Sequence, residues 1–267
     1  MKQPVRPPRG IPLRSVVPNA ITVLALCFGL SGVRFAIAQD WEKAVLMILV
    51  AAVLDAMDGR IARMLNGQSR FGAELDSLSD VIAFGVSPAI ILYLWSLQYL
   101  PKFGWIFALA HAVCAALRLA RFNANIDVED QPHKSAGFLT GVPAPAAAGL
   151  TFLPLYLWLW TGLEFFQSTY VVAPWAALIA FMMISNLATF SWGSLRLRRH
   201  VRLGALVVIA LVAGALLSAP WPTLSVATVL YAGLIPASIL SYARIKRQRA
   251  AAAASLEPRP GGDAPSP

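Results

Sequence analysis

Charged side chains are scarce in this chain, 13% of its 267 residues, where a soluble domain carries about one quarter. That shortage excludes an ordinary water-facing surface, and with 58% hydrophobic residues it places the chain in a membrane. Cysteine is scarcer still. Cys27 and Cys114 both fall inside apolar runs, so they read as small apolar residues, with no disulfide framework and no redox argument. His111, His133 and His200 stand singly, without a second His or Cys at ligand spacing, which excludes a zinc site built on them. Acids number only 13 in all. Asp55, Asp58, Glu74, Asp76 and Asp80 nevertheless crowd into the stretch "VLDAMDGRIARMLNGQSRFGAELDSLSD".

Long apolar runs are plentiful. A helix needs about 20 mostly apolar residues to cross the hydrocarbon core, and eight segments approach that length: 16–38, 43–63, 74–98, 103–122, 143–163, 170–190, 204–219 and 222–243. The fold class expected is therefore all-α, a polytopic membrane bundle of about eight transmembrane helices. The first run ends in "AIAQD", which has the small residues of a signal-peptidase site, but its apolar stretch is too long for a signal peptide and contains Arg34. No internal repeat is visible. One membrane domain at 16–245 is expected, after a basic segment at 1–15 and before an Ala-, Pro- and Gly-rich tail at 246–267 expected to be disordered.

The net charge of +9 does not call for nucleic acid, because the basic residues follow the spans. If chain ends and alternate loops share one side, that side holds 19 of the 22 Lys and Arg, leaving Arg34, Lys43 and Lys102 on the other. An even number of spans with both termini in the cytoplasm satisfies the positive-inside bias. Membrane lipid headgroups are partners for those loops. The cluster "SLRLRRHVR" reads as a topology determinant, and the eight Trp as interface anchors rather than a base-stacking platform.

Asp55 and Asp58 are three residues apart, and Asp76 and Asp80 four apart, so each pair stacks on one helix face. The short polar loop between them makes the two helices antiparallel neighbours, and the four carboxylates can converge. Intramembrane acids are costly unless paired or hydrated and mark a functional site by default. Simple neutralisation by Arg60, Arg63 and Arg70 is the bland alternative, but it does not explain Gly59 and Gly72. Oxygen-only ligands suit Mg²⁺ or Mn²⁺, two ions sharing four carboxylates, and such ions imply a phosphate-bearing substrate. The small Gly59 and Ala62 let a bulky ligand approach, and the Arg63 fork matches a phosphate.

The series Asp55-x-x-Asp58-Gly59-x-x-Ala62-Arg63, then eight residues, then Gly72-x-x-x-Asp76-x-x-x-Asp80 resembles the signature of the CDP-alcohol phosphotransferase family at every position. The resemblance implies a six-span core, compatible with the first six segments, plus two additional helices. It also implies transfer of a phosphoalcohol unit from a CDP-linked lipid to an acceptor hydroxyl, with release of CMP. Asp55, Asp58 and Asp76 are then metal ligands, while Asp80 assists the metal site and takes the acceptor's proton. Gly59, Ala62, Arg63, Ser69 and Gly72 line the CDP-lipid site. "VPNAIT" resembles the family's N-terminal nucleotide-contacting element and nominates Asn19 and Thr22, which are otherwise helix-start residues of a span.

Three further pieces, "ELDSLSDVIAFGVSPA", "RLARFN" and "GFLTGVPAPAAAG", resemble the phosphatidylserine synthase branch. That branch implies CDP-diacylglycerol and L-serine as substrates. Arg118 and Arg121 offer the cations that a serine carboxylate needs, although positive-inside anchoring accounts for them equally, and glycerol 3-phosphate or inositol phosphate remain alternative acceptors. A divalent-cation transporter should line a polar path across the midplane, and a membrane prenyltransferase should show two separated Asp-rich motifs; this chain has one compact motif. A bacterial inner membrane location with the site on the cytoplasmic side is expected. Oligomeric state is left open, a homodimer included.

Overall fold

The computed structural model describes residues 13–124, 138–185, 188–190 and 202–256. The basic positions Lys2 to Arg9, His133, His200, the stretch 194–201 and the last residues of the tail lie outside that set.

Each apolar segment expected from the sequence contains helix. Helix α1 (Leu13–Ile37) turns through Gln39 and Asp40 into α2 (Trp41–Met64). The Asp40 carboxylate caps α2 by accepting from the Lys43 backbone N–H at 3.1 Å and pairs with Lys43 Nζ at 2.6 Å. Those hydrogen bonds hold its pKa below the usual carboxylate value. Helix α3 (Arg70–Asp80) passes without a break through a π-helical turn, Val81–Val86, into α4 (Ser87–Trp95). Then come α5 (Gly104–Ala124), α6 (Ala144–Thr151), α7 (Leu153–Thr161), α8 (Thr169–Ile184), α9 (Arg202–Ser218) and α10 (Pro220–Leu256). Strands β1 (Phe138–Thr140) and β2 (Ala188–Phe190) pair antiparallel, Leu139 opposite Thr189, and make a small ribbon beside the bundle.

The protein is a helical membrane bundle. Arg14–Ile37, Arg70–Trp95, Gly104–Ala124 and Pro220–Ser241 are each long and apolar enough to cross a membrane alone. Helix α2 is as long, but Asp55, Asp58, Arg60 and Arg63 occupy its last turns. Large apolar side chains face outward, as a lipid solvent demands: on α9, Leu203, Leu206, Leu211 and Leu217 are 61–87% exposed. The interior is tight. Gly32 of α1 approaches the Ala44 carbonyl and Ile48 of α2 so closely that a Cβ there would stand 3.1 Å from both, and Gly29 meets Ala83 in the same way.

Prolines inside the apolar runs set the cross-links. Proline has no N–H for the carbonyl four residues earlier, and in a membrane that carbonyl must find another partner. Pro154 leaves the Leu150 carbonyl to accept Trp175 Nε1–H of α8 at 2.8 Å. Pro88 leaves the Phe84 carbonyl beside His111 Nε2 of α5 at 3.4 Å. His111 is buried, its other ring nitrogen 3.2 Å from Thr151 Oγ1, and it is a structural strut.

Two expectations need correction. The run 143–163 is two helices, α6 and α7, divided at Phe152 because Pro154 interrupts the ladder. The run 170–190 leaves helix after Ile184, where Ser185 turns extended and the chain enters β2. Helix α10 runs through Leu256, consistent with an Ala-rich run of the highest helix propensity.

Candidate active site

The loop between α2 and α3 shapes a pocket at one end of the bundle. Pro18 frees the Arg14 carbonyl on α1, and the buried Gly67 backbone packs against it so closely that any Cβ would collide with that oxygen. Ser69 then caps α3, its hydroxyl accepting from the Gly72 N–H at 3.0 Å. The pocket so enclosed measures about 500 Å³. Its walls include Asn19, Thr22, Gly59, Ala62, Arg63, Ser69 and Gly72, all seven residues that the sequence nominated for the CDP lipid. Gly59 faces open space, with nothing within 4 Å of where a Cβ would lie, whereas a Cβ on Gly72 would stand 2.8 Å from Asn19 Oδ1. These two glycines therefore do different work, one clearing the pocket and the other admitting α1.

Asp58 and Asp76 also line the pocket. Asp58 is 5% exposed, and its Oδ2 accepts the Thr22 hydroxyl at 2.7 Å. Ser79 of α3 donates to the Thr22 carbonyl at 3.3 Å, so one residue of α1 ties both acidic helices. Behind Asp58, carboxylate oxygens of Asp55, Asp76 and Asp80 lie within 4.8 Å of one another. Asp58 stands outside this tightest group, because Thr22 holds one of its oxygens.

Three carboxylates so close repel unless a proton or a cation is shared among them. Asp80 Oδ1 is buried without a hydrogen-bond partner among the described residues. An orphaned carboxylate oxygen beside two more carboxylates fits a hard divalent cation, which takes oxygen ligands. The cluster could hold a divalent metal through three carboxylate oxygens.

Helix α5 lies beyond the pocket, on the side of Asp80. Arg118 lies within electrostatic reach of Asp80, and its Nε is also buried without a partner. Arg121 behaves differently, donating from Nη2 to the Ser185 carbonyl beyond the end of α8 at 3.4 Å. Asn123 Nδ2 donates to Ser77 Oγ of α3 at 2.9 Å, which fixes α5 against the acidic helix. Neither arginine lines the pocket.

A family model for CDP-alcohol phosphatidyltransferase matches residues 15–246, from α1 well into α10. The chain belongs to that family. It is 36% identical over 233 residues to the CDP-diacylglycerol--serine O-phosphatidyltransferase of Mycobacterium tuberculosis, covering 87% of this chain and 81% of that protein. Identity to the Mycobacterium leprae protein of the same name is 37% over 224 residues, 84% and 74% of the two chains. The Bacillus subtilis protein of that name is 33% identical over 165 residues, 59% of this chain and 89% of its own. This CDP-alcohol phosphatidyltransferase is thus an integral membrane protein whose pocket and carboxylate cluster share one end of the bundle.

Several site features escaped the sequence. Gly67, Gln68, Arg70 and Ala73 line the pocket, and only Gly67, a glycine just before a helix cap, left any local signal. The Thr22–Asp58 and Ser77–Asn123 bonds join residues far apart in the chain and have no signal within a single helix.

Proposed function

We propose that the protein transfers a phosphatidyl group from CDP-diacylglycerol to the hydroxyl of L-serine, giving phosphatidylserine and CMP. The observation that carries this reading is an adjacency: Asp76 lines the pocket, Asp80 is its neighbour one turn along α3 in the same carboxylate cluster, and Arg118 lies within electrostatic reach of Asp80. Nucleotide diphosphate, base and acceptor anchor then follow one another in space. The names of the relatives support the same acceptor.

In this reading Arg63, Gly59, Ala62, Ser69, Gly72, Asn19 and Thr22 hold the CDP part. Asp55, Asp58, Asp76 and Asp80 hold two ions of Mg²⁺ or Mn²⁺. When bound, the ions neutralise the diphosphate and polarise the phosphorus that is attacked. Thr22 keeps the Asp58 carboxylate aimed at the pocket. Arg118, with Arg121 behind it, binds the serine carboxylate through a planar fork. Asp80 takes the proton from the serine hydroxyl as that oxygen bonds to the phosphatidyl phosphorus. The bond from phosphorus to the CMP oxygen breaks, and CMP leaves.

A transporter would need polar groups across the midplane, whereas these acids occupy the last turns of α2 and the first half of the continuous helix Arg70–Trp95. We place the site and both chain ends on the cytoplasmic side of a bacterial inner membrane, supported by the gathering of Arg14, Arg60, Arg63 and Arg70 at the pocket end of the α1–α2–α3 unit. The test is CMP release by purified protein from CDP-diacylglycerol with L-serine, glycerol 3-phosphate or inositol phosphate in parallel. Serine alone should support turnover. Preference for either phosphorylated acceptor would move the protein to another branch of its family.

A further inference from the structure

Asp80 is the last residue of α3, and the chain does not continue from it as an α-helix. In the π-helical turn Val81–Val86 hydrogen bonds reach five residues back, as Ser87 N–H does to the Ile82 carbonyl. Such a turn takes up one additional residue and rotates the helix that follows by about 100°. In an unbroken α-helix residue 84 would continue the face of Asp76 and Asp80. Here Ala83 and Phe84 enter the apolar core instead, while Asp76 and Asp80 stay together in the carboxylate cluster. A π turn is a rare conformation that persists only where its surroundings hold it. Gly29 of α1 admits Ala83 on one side, and a Cβ on Gly85 would stand 2.9 Å from the Ala115 methyl of α5 on the other. A polar hold falls on the Phe84 carbonyl, which Pro88 cannot serve and which lies 3.4 Å from His111 Nε2. A carbonyl only accepts, so Nε2 carries the ring proton, and Nδ1 of the neutral ring accepts from the Thr151 hydroxyl of α6 at 3.2 Å. Phe84, His111 and Thr151 are all buried.

We propose that His111 is a positioning residue for the transfer reaction: by holding the Phe84 carbonyl, with Thr151 behind it, it fixes the π turn and through that turn the direction of the Asp80 carboxylate. The inference rests on Asp80 as the base and extends the support of the site to α5 and α6. A base must meet its proton within hydrogen-bond reach, and a misplacement of about 1 Å costs up to about 10²-fold in rate. Without His111 the Phe84 carbonyl is left unsatisfied in an apolar interior. The turn then gains by rearranging, and Asp80, at its entrance, rotates relative to Asp55 and Asp76.

The test uses the full-length purified protein in mixed micelles with CDP-diacylglycerol, L-serine and saturating Mg²⁺, following CMP release at a temperature well below the Tm of every variant. His111→Phe keeps a flat ring and removes both bonds. It should lower kcat about tenfold or more, with the CDP-diacylglycerol KM within about twofold, because uniform substrate binding is untouched. His111→Gln, whose amide offers a donor to the same carbonyl, should recover most of that loss. Combined with Asp80→Asn, His111→Phe should cost nothing further in kcat, since it acts through the carboxylate already removed. A His111→Phe protein with a lower Tm and a wild-type kcat overturns the inference and leaves His111 a packing role only. A loss that multiplies in full on that of Asp80→Asn also overturns it. Where His111→Phe does not fold, Thr151→Val carries the test, because it releases the ring to take its other tautomer. Its kcat should fall about threefold, the effect of one neutral hydrogen bond, and a wild-type kcat overturns the inference. Asp80→Asn with a wild-type kcat defeats the base assignment itself, an outcome distinct from an inactive Asp80→Asn beside an unaltered His111→Phe.

Discussion

Asp80 carries the largest chemical demand in the site. Its Oδ1 has no hydrogen-bond partner among the described residues, and its neighbours are two carboxylates and one arginine. Asp80→Asn keeps the shape and removes the base, so kcat should fall by about 10²–10⁴ while CDP-diacylglycerol binding, measured by equilibrium titration, persists. Asp76→Asn touches both pocket and cluster and should nearly abolish turnover at any metal concentration. Near wild-type activity of Asp76→Asn at saturating Mn²⁺ would contradict the metal assignment. Thr22→Val breaks the 2.7 Å bond to Asp58 without removing a carboxylate. Its expected effect is a raised metal requirement, about tenfold in the concentration giving half-maximal activity, since a hydrogen bond to a charged group is worth about 1.5–3 kcal/mol. Arg118 and Arg121 show the limit of spacing as a guide. Three residues on a helix differ by about 60° in direction, enough to send Arg118 towards Asp80 and Arg121 to the Ser185 carbonyl. Arg118→Lys should therefore raise the serine KM more than Arg121→Lys does, in the same CMP-release assay.

At the scale of elements, the α2–loop–α3 unit is a hairpin whose geometry depends on two glycines with opposite surroundings. A Cβ at Gly59 meets nothing, while one at Gly67 meets the Arg14 carbonyl that Pro18 has freed. Gly59→Ala should leave Tm unchanged and raise the CDP-diacylglycerol KM, because its methyl group enters the pocket. Gly67→Ala should lower Tm by several degrees, as a backbone clash of this kind costs on the order of 1–3 kcal/mol. Thermal unfolding in detergent, read beside kinetics, separates the two; a Gly67→Ala protein as stable as wild type would refute the packing account. The sequence spacing displayed both glycines, but only the fold distinguishes a glycine that clears space from one that admits a neighbour. The same holds for prolines: Pro88 and Pro154 are visible in the sequence, whereas the recipients of their freed carbonyls, His111 and Trp175, come from helices packed later.

For the whole molecule, the distribution of Lys and Arg makes a directional prediction. Cysteines introduced at Lys43 and Lys102, in a background lacking Cys27 and Cys114, should react with a membrane-impermeant maleimide added to intact cells. A cysteine at Arg60 should react only after the membrane is opened, and the reverse pattern would invert the proposed orientation. Apolar length marked where helices form, because a chain in lipid must satisfy its backbone within each helix. The acidic signature likewise marked its own helices, since residues three and four apart lie one turn from each other. Tertiary structure alone decided what meets those faces: Thr22 on Asp58, Asn123 on Ser77, and Arg118 within electrostatic reach of Asp80. Periodicity records where a side chain points on its own helix, and it is silent on which of the other helices stands there. That choice is made by close packing of small residues and by the carbonyls that proline releases, and both act only once helices touch.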